Sequence, residues 1–525
     1  MSSLQIDKSS IRTAELPNPA LDDWHPPRSK SVLISLREYP KIAAYSFALS
    51  LSALLTGYDV VILGSIVALP VFQRDYGEIF KGSPIIPSMW LALWNASTFI
   101  GQMFGAIVGG WLQDKKGRRM SLITGSVISA SAVAICYTSY LPDEVNARRA
   151  MFLAGKVVMG FALGMLMATS QTIISEIAPP DLRGSVLALI PTNILLGQLL
   201  GSVAVFALSD DGTRRSYLAA IATQWLFFLV VFCAAVAAPE SPAYLVAGRQ
   251  YSMALRSLAK LHSGRVDMHA MLEQVRRFVI HEEQFFRNKS YLDGLGRRHR
   301  RQTMIVLFAG IIPQLFGLGL LSQAGYFMQT LGMGAKLSLA VLALGVILGL
   351  VANLVGLWTV SKVGRRKLMM ISLTISAFLW FGMGVAGFWS GTATMWYSAG
   401  TFMAIVVVNG LGSWPASYAV AGETSSLLLR AKVQGLNWFT NSLFSGIVSV
   451  ALPFIFNRDA GDLGARTGFV FFGLCTVGVV VSWLIIPEMK GRDQAEIERM
   501  FELHVPTRAF KNWSGSEDTQ ELRHF

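Results

Sequence analysis

The chain is poor in charge. Only 15% of its 525 residues are Asp, Glu, Lys or Arg, against about a quarter in soluble domains. A water-soluble globular enzyme of this size is thereby excluded. Cysteine is scarce too. The three, Cys136, Cys233 and Cys475, all fall in apolar stretches, so no disulfide framework is implied. The seven histidines lie in tails and loops, and no Cys/His spacing suits a metal. A glycine-rich phosphate loop followed by Lys-Ser/Thr is missing, which argues against ATP-driven work, an enzyme or a bound cofactor. A cleavable signal peptide is not expected.

What the chain has instead is apolar length. Hydrophobic residues make up 53% of it, gathered into runs of about 20 residues that can cross a bilayer as helices. Twelve are expected, near residues 43–65, 90–112, 120–140, 150–172, 184–208, 217–238, 303–328, 337–359, 368–388, 393–418, 435–457 and 467–486; we number them spans 1 to 12. The predicted fold class is an all-α membrane protein, with six-helix bundles at residues 43–238 and 303–486. Residues 1–42, polar and proline-bearing, read as a disordered tail. The loop 239–302 carries apolar residues at helical spacing, such as Leu255, Leu258, Leu261, Met271, Val275 and Val279, and predicts short amphipathic helices. Residues 487–525 form a second tail, with another helix expected around Glu496, Glu498 and Met500.

The two bundles repeat each other. Gly117-Arg118-Arg119 returns as Gly364-Arg365-Arg366, and Glu176 with Arg183 returns as Glu423 with Arg430, both at an offset of 247. Pro239-Glu240 returns as Pro487-Glu488 at 248. Three charged clusters at one spacing indicate an internal duplication, the layout of a transporter with two pseudo-symmetric halves. Together with Asp114, these charges are read as a network of charge-assisted bonds latching the halves at one face. The counterpart of Asp114 is Ser361, so the latch should be weaker there.

The net charge of +13 does not signal nucleic acid. Lys115, Lys116, Arg118 and Arg119 follow span 2, a basic segment runs from Arg249 to Arg301, and Lys362, Arg365, Arg366 and Lys367 follow span 8. Cations confined to alternate loops place those loops, and both termini, in the cytoplasm. The opposite loops are near neutral, as at Asp210, Asp211, Arg214 and Arg215. The expected partners are the lipid bilayer, protons and a small-molecule substrate, for a monomer in the plasma membrane.

Deep in the spans only one carboxylate remains, Asp59, and only one cation, Lys156. A charge there costs about 2.5–3.5 kcal/mol on insertion scales and marks a purpose. Both lie roughly 9 Å below the outer boundary at 1.5 Å per residue, so they can meet. The functional reading is a proton-coupling pair, because protonating the carboxylate switches the contact. A static ion pair joining two helices is the plain alternative. Polar residues in spans need partners in lipid: Gln171, Asn193, Gln198, Gln314, Gln323, Asn409, Asn437 and Asn441 could face a cavity or join helices. Trp225, Tyr326, Trp414, Tyr418 and Trp438 could flank a ring-shaped ligand or anchor at the interface. For substrate contact we select Asn193, Gln198, Gln314, Gln323, Tyr326, Trp414 and Asn437.

Several motifs now coincide: Gly57-Tyr58-Asp59, Gly110-Trp111-Leu112-Gln113-Asp114 through Arg119, Ser175-Glu176 through Arg183-Gly184, Pro239-Glu240-Ser241-Pro242, and Pro487-Glu488 through Arg492. With them, over residues 43–505, the chain resembles a sugar porter of the major facilitator superfamily. Ala68-Leu69-Pro70, Gly422-Glu423-Thr424-Ser425-Ser426 and Gly464-Ala465-Arg466-Thr467-Gly468 are similar to the fungal maltose and α-glucoside permease branch. The resemblance implies twelve helices, alternating access and proton symport through Asp59. It also exposes departures. Lys156 stands where the family usually has Arg, Pro191 near a sugar-contacting Gln, and Leu318, Gly319, Ala324 and Gly325 where relatives often carry hydrogen-bonding side chains. The machinery is retained and the pocket altered, so weak transport of glucose and maltose and better handling of a less hydroxylated solute are expected. An exporter of a small, less polar metabolite is the first rival, a transport-dead nutrient sensor the second.

Overall fold

The structure is a computed structural model. It describes residues 32–513 apart from 68, 81–82, 209–212, 263–266, 284–294, 297–298, 390, 427–428, 457–460, 462 and 493. The first half runs Pro40–Ser50 with Ser52–Val67, Ser88–Lys116, Arg118–Thr138, Val145–Ile177, Pro180–Leu187 with Leu189–Leu208, and Arg214–Ala222 with Gln224–Ala237. The second runs Arg300–Leu315 with Leu318–Ser322 and Ala324–Thr330, then Ala335–Val363, Arg365–Ala386, Thr392–Leu411 with Ser413–Thr424, Arg430–Phe456 and Gly468–Ile485. Among the described residues, ten helices are long and apolar enough to cross a membrane. The remaining two expected spans are 7 and 11. Span 7 breaks at Gly317, whose φ is +95° and whose missing Cβ leaves room for Trp380, 2.7 Å away. Span 11 is the unbroken helix Arg430–Phe456, with its polar residues Lys432, Gln434, Asn437 and Asn441 in the half nearer the basic end.

Glycine sets how closely the spans pack. In span 2, Gly101, Gly105 and Gly109 repeat every fourth residue, and a Cβ on each would stand 2.2, 1.9 and 2.9 Å from backbone atoms of span 4. Gly160 and Gly164 of span 4 return the contact, 2.1 and 2.2 Å from the carbonyls of Thr98 and Gln102. Small residues at this spacing let helix backbones touch where lipid supplies no hydrophobic drive.

One expectation is corrected. The segment 1–42 is not wholly a disordered tail: Val32–Glu38 is helical, span 1 already starts at Pro40, and Ile42 is fully buried. Residues 1–31 lie outside the described residues. The fold also holds one short antiparallel hairpin, Glu78–Phe80 against Ser83–Ile85, in the loop after span 1. The loop between the halves forms helices Pro242–Ala247, Tyr251–Leu261 and Met268–Glu283, which share a small core of Leu245, Val246, Ala254 and Val279. Gln494–Glu502 is the helix after span 12. Asp210 and Asp211 lie outside the described residues.

At the end opposite the basic loops, helix Pro70–Tyr76 caps the first half. Phe72 and Tyr76 stack at 4.4 Å and meet Trp94, Phe152 and Tyr217 edge-on. Beside them Asp75 is buried and accepts bonds from Arg214 Nε at 2.7 Å and the Tyr217 hydroxyl at 2.8 Å. Arg149, also buried, donates to the Tyr76 carbonyl and to Glu78, both at 2.7 Å. Asp75→Ala is expected to destabilise the first half by about 2 kcal/mol, less than for a fully buried pair because Arg214 stays half-exposed. A fall in Tm of the purified protein checks this, and an unchanged Tm counts against a structural cap.

Candidate transport site and gate

Asp59 on span 1 and Lys156 on span 4 meet inside the first half. Lys156 Nζ lies 2.7 Å from both carboxylate oxygens, and the two residues are 2% and 3% exposed. Taking two charges out of water costs about what their attraction returns. Such a pair adds little stability, yet its contact depends on one proton.

At the basic end both halves build the same clamp. Arg118 grips Glu176 through two parallel bonds of 3.1 and 2.9 Å, and Arg365 grips Glu423 at 3.1 and 2.7 Å. The third nitrogen of each guanidinium reaches back to the preceding helix, to the carbonyls of Gln113 and Val360. Glu240 caps the helix after Gly117 by accepting from the N–H groups of Arg118 and Arg119, at 3.0 and 3.1 Å. Glu488 does the same for Arg365 at 3.1 Å. A carboxylate suits the positive end of a helix. Gly117 and Gly364 are required here: both have φ near +95°, and a Cβ would strike the capping carboxylates at 2.4 and 2.5 Å. Burial pushes the pKa of Glu240 up, opposed by the N–H bonds and by Arg118. Arg119 and Arg366 bind the carbonyls of Val236 and Trp483, again 247 apart.

These clamps lie within each half. The bonds across the halves use other groups. Lys432, at the start of span 11, sits 2.7 Å from Asp114, which also faces Arg118 at 3.7 Å. Arg430 donates to the Ser175 carbonyl at 3.3 Å. Arg183 is buried, and its neighbour Gly184 packs against Arg365, where a Cβ would lie 2.3 Å from the guanidinium. Ser185 donates to the Leu357 carbonyl at 3.0 Å, while Ser361 turns back on its own helix at Trp358. Sequence reading missed Lys432, placed just outside span 11; the available signal was that its counterpart under the repeat, Ser185, is neutral, as Ser361 is for Asp114.

Further in, a narrow cleft lies between the halves. Ala309, Gly310, Pro313, Ser417, Tyr418, Ala421, Asn437, Trp438 and Asn441 line it from the second half, and Gln171 from the first. It carries no charged side chain. Of the seven residues selected from sequence for substrate contact, Asn437 alone lines it. Asn193 spends its amide on Ser50 at 2.8 Å and Gln314 on Ser445 at 2.7 Å. Gln198 is buried on span 5, Gln323 caps the short helix Leu318–Ser322, and Trp414 is buried against Phe316. The side chain of Tyr326 lies outside the described residues. Asn409, too, joins helices, through Ser376.

Two pseudo-symmetric six-span halves around a shared polar cleft define a secondary transporter. The family model described as "Sugar (and other) transporter" matches residues 45–501, and the chain belongs to that family. It is 28% identical over 464 residues to the MFS transporter fmqE of Aspergillus fumigatus, covering 87% of this chain and 85% of that one. It is 27% identical over 509 residues to the general alpha-glucoside permease of Saccharomyces cerevisiae, covering 94% and 81%. Among solved structures it matches the proton:xylose symporter XylE bound to 6-bromo-6-deoxy-D-glucose, with a TM-score of 0.77, 19% identity, and 88% and 99% of the two chains covered. Inward-open XylE of E. coli gives 0.62 at 19% identity, covering 87% and 99%. The fold is thus that of the major facilitator transporters.

Proposed function

We propose that the chain is a proton-coupled carrier of a small, neutral, sugar-like solute, working as a monomer in the plasma membrane with its basic end in the cytoplasm. The uncharged cleft between the halves carries this reading. An ionic solute would arrive there desolvated and unpaired, at a cost of several kcal/mol. The cleft offers amides, one serine and two aromatic rings instead, on a wall partly made by Ala309, Gly310, Pro313 and Ala421. In this form the cleft is nearly closed, with room for little more than a water molecule, so a solute enters it only as the halves part. The relatives' names, an alpha-glucoside permease and a proton:xylose symporter, favour sugars and proton coupling. The apolar wall favours a solute with fewer hydroxyls than glucose or maltose. It also favours, as a second reading, export of a small, less polar metabolite.

The test is uptake and efflux by the purified protein in liposomes, with a panel of neutral monosaccharides, deoxy sugars, maltose, glucuronate and glucosamine. Neutral, less hydroxylated solutes are expected to be transported best, and Asn437→Ala to weaken their transport roughly tenfold, through the loss of a buried hydrogen-bonding group. High-affinity transport of glucuronate or glucosamine would overturn the neutral-solute reading. High-affinity maltose uptake would overturn the hydroxyl limit and leave the family standing. Efflux without uptake selects the exporter.

A further inference from the structure

Gln171 and Tyr418 stand 247 positions apart, the interval of the repeat itself. Each is the other's counterpart under the pseudo-two-fold axis that relates the halves. They touch: Gln171 Nε2 donates to the Tyr418 carbonyl at 3.4 Å. One turn on, Ser175 and Gly422 are also counterparts, and a Cβ on Gly422 would lie 3.4 Å from that of Ser175. Two residues exchanged by an axis can meet only beside it, so the axis runs between spans 4 and 10 at this level. In carriers with parallel repeats that axis lies along the membrane normal and the solute site lies at the interface it passes through. Gln171 therefore stands in the solute's path.

Its depth puts it at the basic end of the cleft's polar lining, with only the methyl of Ala421 deeper. Gln171 is six residues from the basic end of its helix at Ile177, whereas Asn441 and Pro313 are eleven and thirteen residues in from theirs, at Arg430 and Arg300. At 1.5 Å per residue this is about 9 Å against 16–20 Å. The side chain is fully buried, and both ends of its amide are held by the opposite half. Trp438 Nε1 donates to Oε1 at 2.8 Å, and Nε2 holds Tyr418 as described. On the cleft wall the buried Asn437 Oδ1 has no hydrogen-bond partner, an acceptor open to a solute hydroxyl.

We infer that Gln171 is the gate at the floor of the cleft, released when a bound solute takes over its partners. Parting span 4 from spans 10 and 11 without a solute leaves the Gln171 amide and the Trp438 N–H unpaired in a buried setting. A hydroxyl both accepts from Trp438 and donates to a carbonyl or amide oxygen, so a solute anchored at Asn437 replaces what the opening breaks. Opening toward the basic end is thereby tied to occupancy, and the empty carrier does not leak. This rests on the reading of the cleft as the transport site.

The experiment uses the full chain with Cys136, Cys233 and Cys475 replaced by Ser and a reporter, Ala309→Cys, on the cleft wall beyond Gln171, nine residues in from Arg300. A membrane-impermeant maleimide is applied from the basic-loop side. Gln171→Met keeps the side chain's size and removes both bonds. It is expected to raise the labelling rate up to about thirtyfold, from two bonds of about 1 kcal/mol each. Trp438→Phe removes one of them and should raise it less, with little added in the double variant. Unchanged labelling in Gln171→Met overturns the gate. If that variant does not fold, unchanged labelling in Trp438→Phe does so. Counterflow with the solute panel separates the two readings: if the parent exchanges no panel solute while Gln171→Met still opens the floor, the site reading fails and the gate stands.

Discussion

Asp59→Asn is expected to abolish accumulation of solute against a gradient, at every external pH, while solute exchange across the membrane persists. The variant cannot lose a proton, so it holds one state of the pair permanently. Exchange needs only the rocking of the halves and survives. The variant also leaves Lys156 buried without its counter-charge, which costs about 3–5 kcal/mol in a fully buried pair. Lower expression is therefore expected. A second variant, Lys156→Arg, keeps the ion pair and should retain accumulation. The two arms separate coupling from stability. Accumulation in liposomes under an imposed pH gradient is the measurement. Undiminished, pH-dependent accumulation by Asp59→Asn would leave the pair as a structural tie between spans 1 and 4.

Glu176→Gln is expected to shift the carrier strongly toward the state open at the basic end. Glu176 does not itself cross between the halves; it holds Arg118 by two bonds. Released, Arg118 turns to its other neighbour, Asp114, 3.7 Å away. Asp114 then divides its charge between Arg118 and Lys432, and the cross-half contact weakens. Truncating one partner of a buried charge pair costs about 2–5 kcal/mol, at least a thirtyfold change in population if most of it falls on the closed state. Lys432→Gln removes the cross-half pair directly and should act in the same direction. If indirect release is the route, Glu176→Gln adds little once Lys432 is gone. Thiol labelling from the basic-loop side reads both. No increase with Lys432→Gln would show that the pair does not hold the closed state.

The architecture was legible because it rests on features a bilayer forces on sequence: apolar length, cations in alternate loops and a repeat marked by charges. The meeting of Asp59 and Lys156 followed from equal depth on two neighbouring helices. The clamps around Gly117 and Gly364 were visible as motifs, but whether each bond stays within a half or crosses it depends on helix rotation. Lys432 differs from its neighbours in that rotation and not in type. The cleft was the least legible part. Asn193, Gln314 and Asn409 look like Asn437 and Asn441 in sequence, yet they bond helices together at Ser50, Ser445 and Ser376. Choosing among buried amides needs their surroundings, which period and composition do not carry. The glycine seam of spans 2 and 4 was available as a four-residue repeat.

The unequal seams at the basic end have a mechanical consequence. Spans 2 and 11 are joined by the ion pair of Asp114 and Lys432, whereas the matching pair of positions between spans 5 and 8 carries the neutral bond from Ser185 to Leu357. Losing Asp114 would take a counter-charge at 2.7 Å from the buried Lys432, a cost that keeps this seam joined. The stiff edge is thus preserved as a unit and the soft edge is free to drift. A mouth built this way swings like a door: it parts first along spans 5 and 8 and turns about spans 2 and 11. Whichever way the solute runs, the first gap at this end is then expected beside Ser185, to one side of the axis at Gln171.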